Sequence, residues 1–146
     1  MKSKAENYIT VEFPSRSANE GFARAVVACF VAQMDPTLNE LEDIKTAVSE
    51  AVTNAIVHGY RNTKGTVEMI MRLYEGNLVQ IIIKDKGCGI LDVKAAMEPE
   101  FSTAPPEEER SGLGFTVMES FMDKVRVRSA EGKGTAVVLE KTLIGK

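Results

Sequence analysis

Residues 66–85 read TVEMIMRLYEGNLVQIIIKD, two apolar runs rich in β-branched residues on either side of a polar connection at 75–77. The connection contains a glycine and an asparagine, which tight turns favour, so the stretch predicts an antiparallel β-hairpin. The second run, 78–83, is apolar at nearly every position, which is typical of a strand in the middle of a sheet. We therefore expect the other strands to assemble around residues 78–85.

The N-terminal part of the chain predicts one strand and two helices. Residues 8–13 place Ile, Val and Phe on one face and precede a proline, as in a short edge strand. Apolar residues at three- and four-residue spacing indicate an amphipathic helix over about 18–34. A longer helix is expected from Pro36, with Asp35 as its N-terminal cap, to Gly59, because the same helical period continues over that stretch.

The C-terminal part predicts a loop, a helix and a second hairpin. A short helix is expected over 91–97, and the proline- and glutamate-rich residues from about 98 to 111 lack periodicity, which indicates a mobile loop or lid. A helix over about 115–122 then precedes strands at 125–128 and 136–139. Because strands and helices do not alternate regularly, we predict an α+β fold. This fold is a two-layer sandwich of a mixed, mainly antiparallel sheet with helices on one face.

Length and composition exclude several classes of protein. At 146 residues the chain has the size of one domain, and we expect a single domain over 1–146. Its net charge is −3 with no run of Lys and Arg, which argues against direct binding of nucleic acid. No apolar stretch approaches the roughly 20 residues of a membrane span, so we expect a cytoplasmic protein without a membrane anchor. One histidine and two cysteines do not furnish a structural zinc site, so any metal must come with a substrate.

Glu50 and Asn54 lie four residues apart and therefore on one side of the predicted long helix, bordering its apolar stripe. A polar flank of a half-buried helix would show the same pattern. The alternative is a carboxylate that can accept a proton beside an amide oxygen that can bind a hard cation. The two residues alone leave both interpretations open.

Two glycine motifs follow. Asp85, Gly87 and Gly89 come directly after the apolar strand, where glycines let the backbone approach a ligand and the carboxylate can accept hydrogen bonds from an exocyclic amine. Gly112 and Gly114 open the predicted third helix, where free N–H groups and the helix dipole can bind phosphate oxygens. Each motif alone is equally compatible with a structural turn.

Taken in order, and followed by Gly134-Thr135 at the start of the last strand, these motifs resemble the ATPase family shared by gyrase B, Hsp90, sensor histidine kinases and MutL. Within it, three stretches are similar to the anti-sigma F factors of spore-forming bacteria: SEAVTNA at 49–55, ERSGLGF at 109–115 and FAR at 22–24. The resemblance covers essentially the whole chain. It implies the Bergerat-type ATP-binding fold, with the ATP lid at about 98–111.

The resemblance also implies roles for individual residues. It assigns Asn54 to Mg²⁺, Glu50 to activation of the attacking hydroxyl, and Arg24, which we expect on the exposed side of the first helix, to contact with partner proteins. The remaining residues that it places around ATP are Asp85 at the adenine amino group with Thr135 in support, Gly87 and Gly89 in the adenine pocket, and Arg110, Gly112 and Gly114 at the phosphates.

The function implied by the resemblance is that of an anti-sigma factor and ATP-dependent protein serine kinase. Such a protein binds and inhibits a sporulation sigma factor, phosphorylates the anti-anti-sigma factor on serine, and forms a homodimer. Two alternatives stay open: a nucleotide-gated sigma-binding module with negligible kinase activity, and a stand-alone ATPase of the histidine-kinase type. Glu50 argues against the first, and the lack of an attached histidine domain argues against the second.

Overall fold

The structure, a computed structural model, describes residues 4–59, 65–87, 114–130 and 132–145. The helix expected over 91–97 and the lid expected at about 98–111 lie outside the described residues. None of the helices within the described ranges is long and apolar enough to cross a membrane.

The described strands form one five-stranded sheet in the order β1-β2-β3-β5-β4. Their bounds are β1 Asn7–Pro14, β2 Thr66–Tyr74, β3 Leu78–Asp85, β4 Lys124–Ala130 and β5 Gly134–Thr142. Strand β3 is central and β1 is an edge strand, as the sequence predicts. Every pairing among these strands is antiparallel, so this part of the sheet is not mixed.

Within the described ranges, three α-helices accompany the sheet: α1 Asn19–Val31, α2 Leu38–Asn54 and α3 Phe115–Phe121. A short 3₁₀ segment, Ala32–Met34, follows α1, and a π-helical turn, Ala55–Gly59, follows α2. The helices pack on one face of the sheet, where alternate strand residues point inward, and the predicted α+β sandwich is confirmed. The largest fully buried side chains come from both layers: Phe115, Ile44, Met69, Met71, Ile81, Ile83, Met118, Leu139, Val27, Val31 and Val48.

Helix α2 begins later than the sequence analysis predicts, and its cap is Thr37 instead of Asp35. The Thr37 hydroxyl accepts the Glu40 N–H over 3.1 Å, and the Glu40 carboxylate accepts the Thr37 N–H over 2.9 Å. This reciprocal capping box satisfies two N–H groups at the helix start. Asp35 has a left-handed backbone, φ 54°, and ends the preceding 3₁₀ segment. Pro36 therefore lies before the cap and is not the first helical residue.

Glu40 also holds the C-terminal segment. Its carboxylate accepts the backbone N–H groups of Ile144 at 2.6 Å and Gly145 at 3.1 Å. Burial by itself would raise the pKa of Glu40, but the hydrogen bonds from Thr37, Ile144 and Gly145 outweigh it and lower the pKa below its ordinary value. One carboxylate thus caps α2 and fixes the chain end that follows β5.

Candidate functional site

Asp85 ends the central strand β3 and is the register partner of Thr135 on β5. Its side chain is only 9% exposed, and Oδ1 accepts the Gly87 N–H over 2.9 Å. Burial raises the pKa of the Asp85 carboxyl above its ordinary value, against the lowering effect of the backbone N–H groups of Gly87 and Thr135. These two bonds leave acceptor capacity on a carboxylate, which has about four lone-pair sites.

Gly134 brings β5 close to the end of β3. Its φ is +93°, and a Cβ there would lie 2.7 Å from Lys86 Cα and would overlap the Asp85 carbonyl oxygen. Only glycine permits this approach, so Gly134 shapes the surroundings of Asp85. The sequence analysis includes Gly134 in the motif set but gives it no role at the site, because a glycine in a hairpin connection has the same local signature.

The Thr135 side chain is directed to the neighbouring strand. Its Oγ1 lies 2.7 Å from Ser129 Oγ, which also donates to the Gly134 carbonyl over 3.0 Å. Thr135 therefore meets Asp85 through its backbone N–H and anchors the edge strand β4 through its hydroxyl.

Helix α2 and the start of α3 bring two of the sequence motifs together. Gly114 has a left-handed φ of +73°, and a Cβ there would overlap the Glu50 carboxylate, at 3.1 Å from its Cδ. Gly114 directly precedes α3, and Asn54, at the end of α2, is 8% exposed. The fold thus places the Glu50 carboxylate against the backbone of Gly114, although the two residues are distant in sequence. Gly89, Arg110 and Gly112 lie outside the described residues.

Arg24 is half-buried, whereas the sequence analysis expects it on the exposed side of α1. Its Nη1 donates to Ser49 Oγ on α2 over 2.9 Å. The long side chain can cross the helix surface because its aliphatic part packs while its guanidinium stays polar and accessible. One turn earlier on α1, Glu20 accepts the Thr53 hydroxyl over 3.0 Å.

The side-chain oxygen atoms of Glu50 and Asn54 are of the type that binds a cation which also binds phosphate. Within the described ranges no group of three or more His, Cys, Asp and Glu side chains could hold a metal ion alone. Mg²⁺ commonly takes one or two protein oxygens and completes its shell with substrate phosphates and water. The Asn54 amide fits one such ligand, because its oxygen is of the hard type that Mg²⁺ prefers.

The other face of the sheet carries a groove of about 920 Å³ near the same strand ends. Glu12, Glu68, Lys84 and Arg128 line it. Side chains alternate along a strand, and Asp85 shares the helix-covered side with Ile83. Asp85 nevertheless also lines the groove, together with Gly134 and Thr135, so the groove reaches the candidate site at these strand ends.

Comparison with known proteins identifies the family and the fold of the chain. Residues 13–141 match the family described as "Histidine kinase-like ATPase domain". An anti-sigma F factor from Clostridium beijerinckii is 53% identical over 137 residues, which are 94% of this chain and 95% of that protein. An anti-sigma F factor from Geobacillus stearothermophilus is 51% identical over 140 residues, 96% of this chain and 95% of that protein.

Two solved structures share the fold at low sequence identity. The crystal structure of the RsbU and RsbW domains of Rv1364c from Mycobacterium tuberculosis has a TM-score of 0.67 at 18% identity and covers 94% of this chain and 32% of that one. The catalytic domain of the histidine kinase ThkA has a TM-score of 0.56 at 16% identity and covers 92% of this chain and 96% of that one. With relatives above 50% identity over nearly the full length, the chain belongs to the anti-sigma F factor family, and its fold is that of the histidine kinase-like ATPase domain.

Proposed function

We propose that the chain binds and inhibits a sporulation sigma factor and phosphorylates that factor's antagonist, the anti-anti-sigma factor, on serine with ATP. The observation that carries the enzymatic half is the Glu50 carboxylate against Gly114, one helical turn before Asn54. The names of the relatives support the inhibitory half. The lid at about 98–111 and a homodimer belong to the same proposal.

The adenine end of the site is built on Asp85. Its buried carboxylate accepts the adenine amino group, because it has free acceptor capacity and little access to water. Gly87 donates to Asp85 and, with Gly89, gives the base room beside the backbone. Thr135 holds Asp85 through the antiparallel pairing of β3 and β5.

The phosphate end lies at the start of α3. The backbone N–H groups of Gly112 and Gly114 and the Arg110 guanidinium neutralise phosphate charge, as helix starts and arginines do in other phosphate sites. Mg²⁺, when bound, offsets the charge that develops on the phosphate oxygens, and Asn54 is its protein ligand.

Glu50 orients and deprotonates the incoming hydroxyl. The serine oxygen of the antagonist forms a bond to the γ-phosphorus, the bond from that phosphorus to the β–γ bridging oxygen breaks, and ADP leaves. The hydroxyl proton passes to the Glu50 carboxylate. The transition state of phosphoryl transfer is loose. Most of the catalysis therefore comes from placing the hydroxyl in line with the leaving oxygen and from supplying positive charge.

Partner binding is proposed for α1, on the side where Arg24 lies. Phe22 is 51% exposed on another side of α1, and Ile9, Val26 and Phe30 contribute to an apolar groove between β1 and α1. Arginine is enriched at protein interfaces, and exposed apolar residues on the same helix add surface that a partner can cover.

The test is to incubate the purified chain with ATP, Mg²⁺, the sigma factor and its antagonist, and to locate phosphate by mass spectrometry. We expect phosphoserine on the antagonist and ATP-dependent capture of the sigma factor. Capture without phosphate transfer would instead indicate the nucleotide-gated binding module. Phosphate on a histidine of a separate protein would indicate an ATPase of the histidine-kinase type.

A further inference from the structure

Two hydrogen bonds join α1 to α2 and form what we call the polar ladder. In one rung Arg24 Nη1 donates to Ser49 Oγ over 2.9 Å, and in the other Thr53 Oγ1 donates to Glu20 Oε1 over 3.0 Å. The two ladder residues of each helix are four positions apart, and they pair in opposite order. Both rungs therefore lie on the facing sides of two antiparallel helices.

Each α2 residue of the polar ladder directly precedes a residue of the candidate site. Ser49 precedes Glu50, and Thr53 precedes Asn54. Successive residues of an α-helix are about 100° apart around its axis, so the ladder faces α1 while the Glu50 carboxylate faces Gly114. A rotation of α2 that displaced the ladder would displace that carboxylate by the same angle.

The hydrogen bonds of the polar ladder add a directional constraint to the apolar packing of these two helices. The buried residues of these helices include small apolar side chains, Ala23 and Val27 on α1 and Ala47 and Ala51 on α2. Apolar burial is non-directional, whereas a hydrogen bond weakens steeply when its angle changes. Thr53 is only 8% exposed, so losing its partner would leave a polar group with little access to water.

We propose that Arg24 and Ser49 are positioning residues that hold Glu50 in place for phosphoryl transfer. This inference rests on the proposed function, because it concerns the transfer step described there. It gives Arg24 a second role beside partner contact. A guanidinium has five N–H donors, and Ser49 occupies one of them, so Arg24 can bind a partner's carboxylate or carbonyl and keep its rung.

The first test is Ser49→Ala, which breaks a rung without altering the partner-facing side of α1. We expect kcat for phosphorylation of the antagonist to fall about tenfold, because small displacements of reacting groups are costly. The KM for ATP and the affinity for the sigma factor should change by less than about twofold. Ser49→Thr restores the hydroxyl and should recover most of kcat. Ser120→Ala is the matched control, since it removes an α3 hydroxyl that donates to the Thr116 carbonyl over 2.9 Å.

The second test is a double-mutant cycle in kcat with Arg24→Ala and Ser49→Ala, at saturating antagonist. If Arg24 acts on Glu50 through Ser49, the double variant loses no more than Arg24→Ala alone; independent effects would multiply. An unchanged kcat in Ser49→Ala, or multiplied losses in the cycle, overturns the inference. Absence of phosphate transfer by the unmutated chain overturns the proposed function itself, and this is seen before any variant is compared.

Discussion

Glu40 and Asp85 are equally buried carboxylates, each 9% exposed, but the protein surrounds them differently. Glu40 lies at the start of α2 and accepts backbone N–H groups from Thr37, Ile144 and Gly145. Those bonds outweigh burial, so the pKa of Glu40 is lowered. Its charge is satisfied by the chain itself, and it links a helix start to the chain end.

Asp85 lies at the end of β3, and its pKa is raised. Burial is the largest cause there, and the N–H groups of Gly87 and Thr135 only partly offset it. A buried acceptor that is incompletely satisfied costs folding free energy and is available to a ligand. The difference between Glu40 and Asp85 therefore separates a carboxylate with a structural role from the one that we propose binds adenine.

Glu50 is a third carboxylate to compare with Glu40 and Asp85, and its substitution should have the largest effect of the three. Glu50→Gln keeps the shape and removes the base, so we expect phosphoryl transfer to fall by about 10²-fold or more, with Mg-ATP and sigma-factor binding retained. Single-turnover phosphorylation beside nucleotide titration measures both. Asn54→Ala is the contrasting variant and should weaken Mg²⁺-dependent nucleotide binding itself. Phosphoryl transfer by Glu50→Gln at the unmutated rate would show that Glu50 is not the base and only forms part of the polar flank of α2.

Asp85→Asn should weaken nucleotide binding by about 2 kcal/mol, roughly 30-fold, because the amide turns an N–H₂ group toward the adenine amino group. Calorimetry with ADP measures the affinity. Glu40→Gln makes the same chemical change in the other carboxylate and should leave ADP affinity unaltered. Equal losses in both variants would show that the assignment of Asp85 to adenine is wrong.

Glu40→Ala should lower the free energy of unfolding by about 2 kcal/mol, because it removes the capping box and the bonds to Ile144 and Gly145. Urea denaturation followed by circular dichroism measures the change. Glu42→Ala on the same helix removes only the 3.5 Å contact with Lys45, so its effect should stay below about 0.5 kcal/mol. If Glu40→Ala lowers the free energy of unfolding as little as Glu42→Ala does, the hydrogen bonds from Ile144 and Gly145 to Glu40 do not stabilise the fold.

The sequence predicts most of the sheet and helices because their signals are local. The strand alternation around residues 66–85 and the helical period of α1 and α2 are properties of short windows. The start of α2 shows where local signals compete: Asp35-Pro36 resembles a cap followed by a first helical residue, and Thr37 with Glu40 is a capping box two residues later. The structure selects Thr37, since Glu40 satisfies both the helix start and the distant chain end.

The contacts that assemble the site are long-range and have no local signature. Arg24 and Ser49 are 25 residues apart, and Glu40 and Ile144 are 104 apart. The approach of Gly114 to Glu50 likewise depends on how α3 packs against α2. The residue types near the site could be identified from motifs, whereas their mutual placement requires the tertiary fold.

The smallest predicted effects are in the pH dependence of stability, and they test the comparison directly. A lowered pKa means that Glu40 stabilises the fold at neutral pH and that this contribution is lost as pH falls through the lowered value. A raised pKa means the opposite for Asp85: its charge destabilises the fold at neutral pH, and protonation relieves the cost. Glu40→Gln should therefore be less stable than the unmutated chain at pH 7, and Asp85→Asn more stable. The Glu40 difference should shrink as pH falls below the ordinary carboxyl value, about 4, whereas the Asp85 difference should shrink earlier, as pH falls from the raised pKa toward that value. Urea denaturation from pH 7 to pH 3 measures the two curves, and differences of the same sign would show that the two carboxylates do not differ as described.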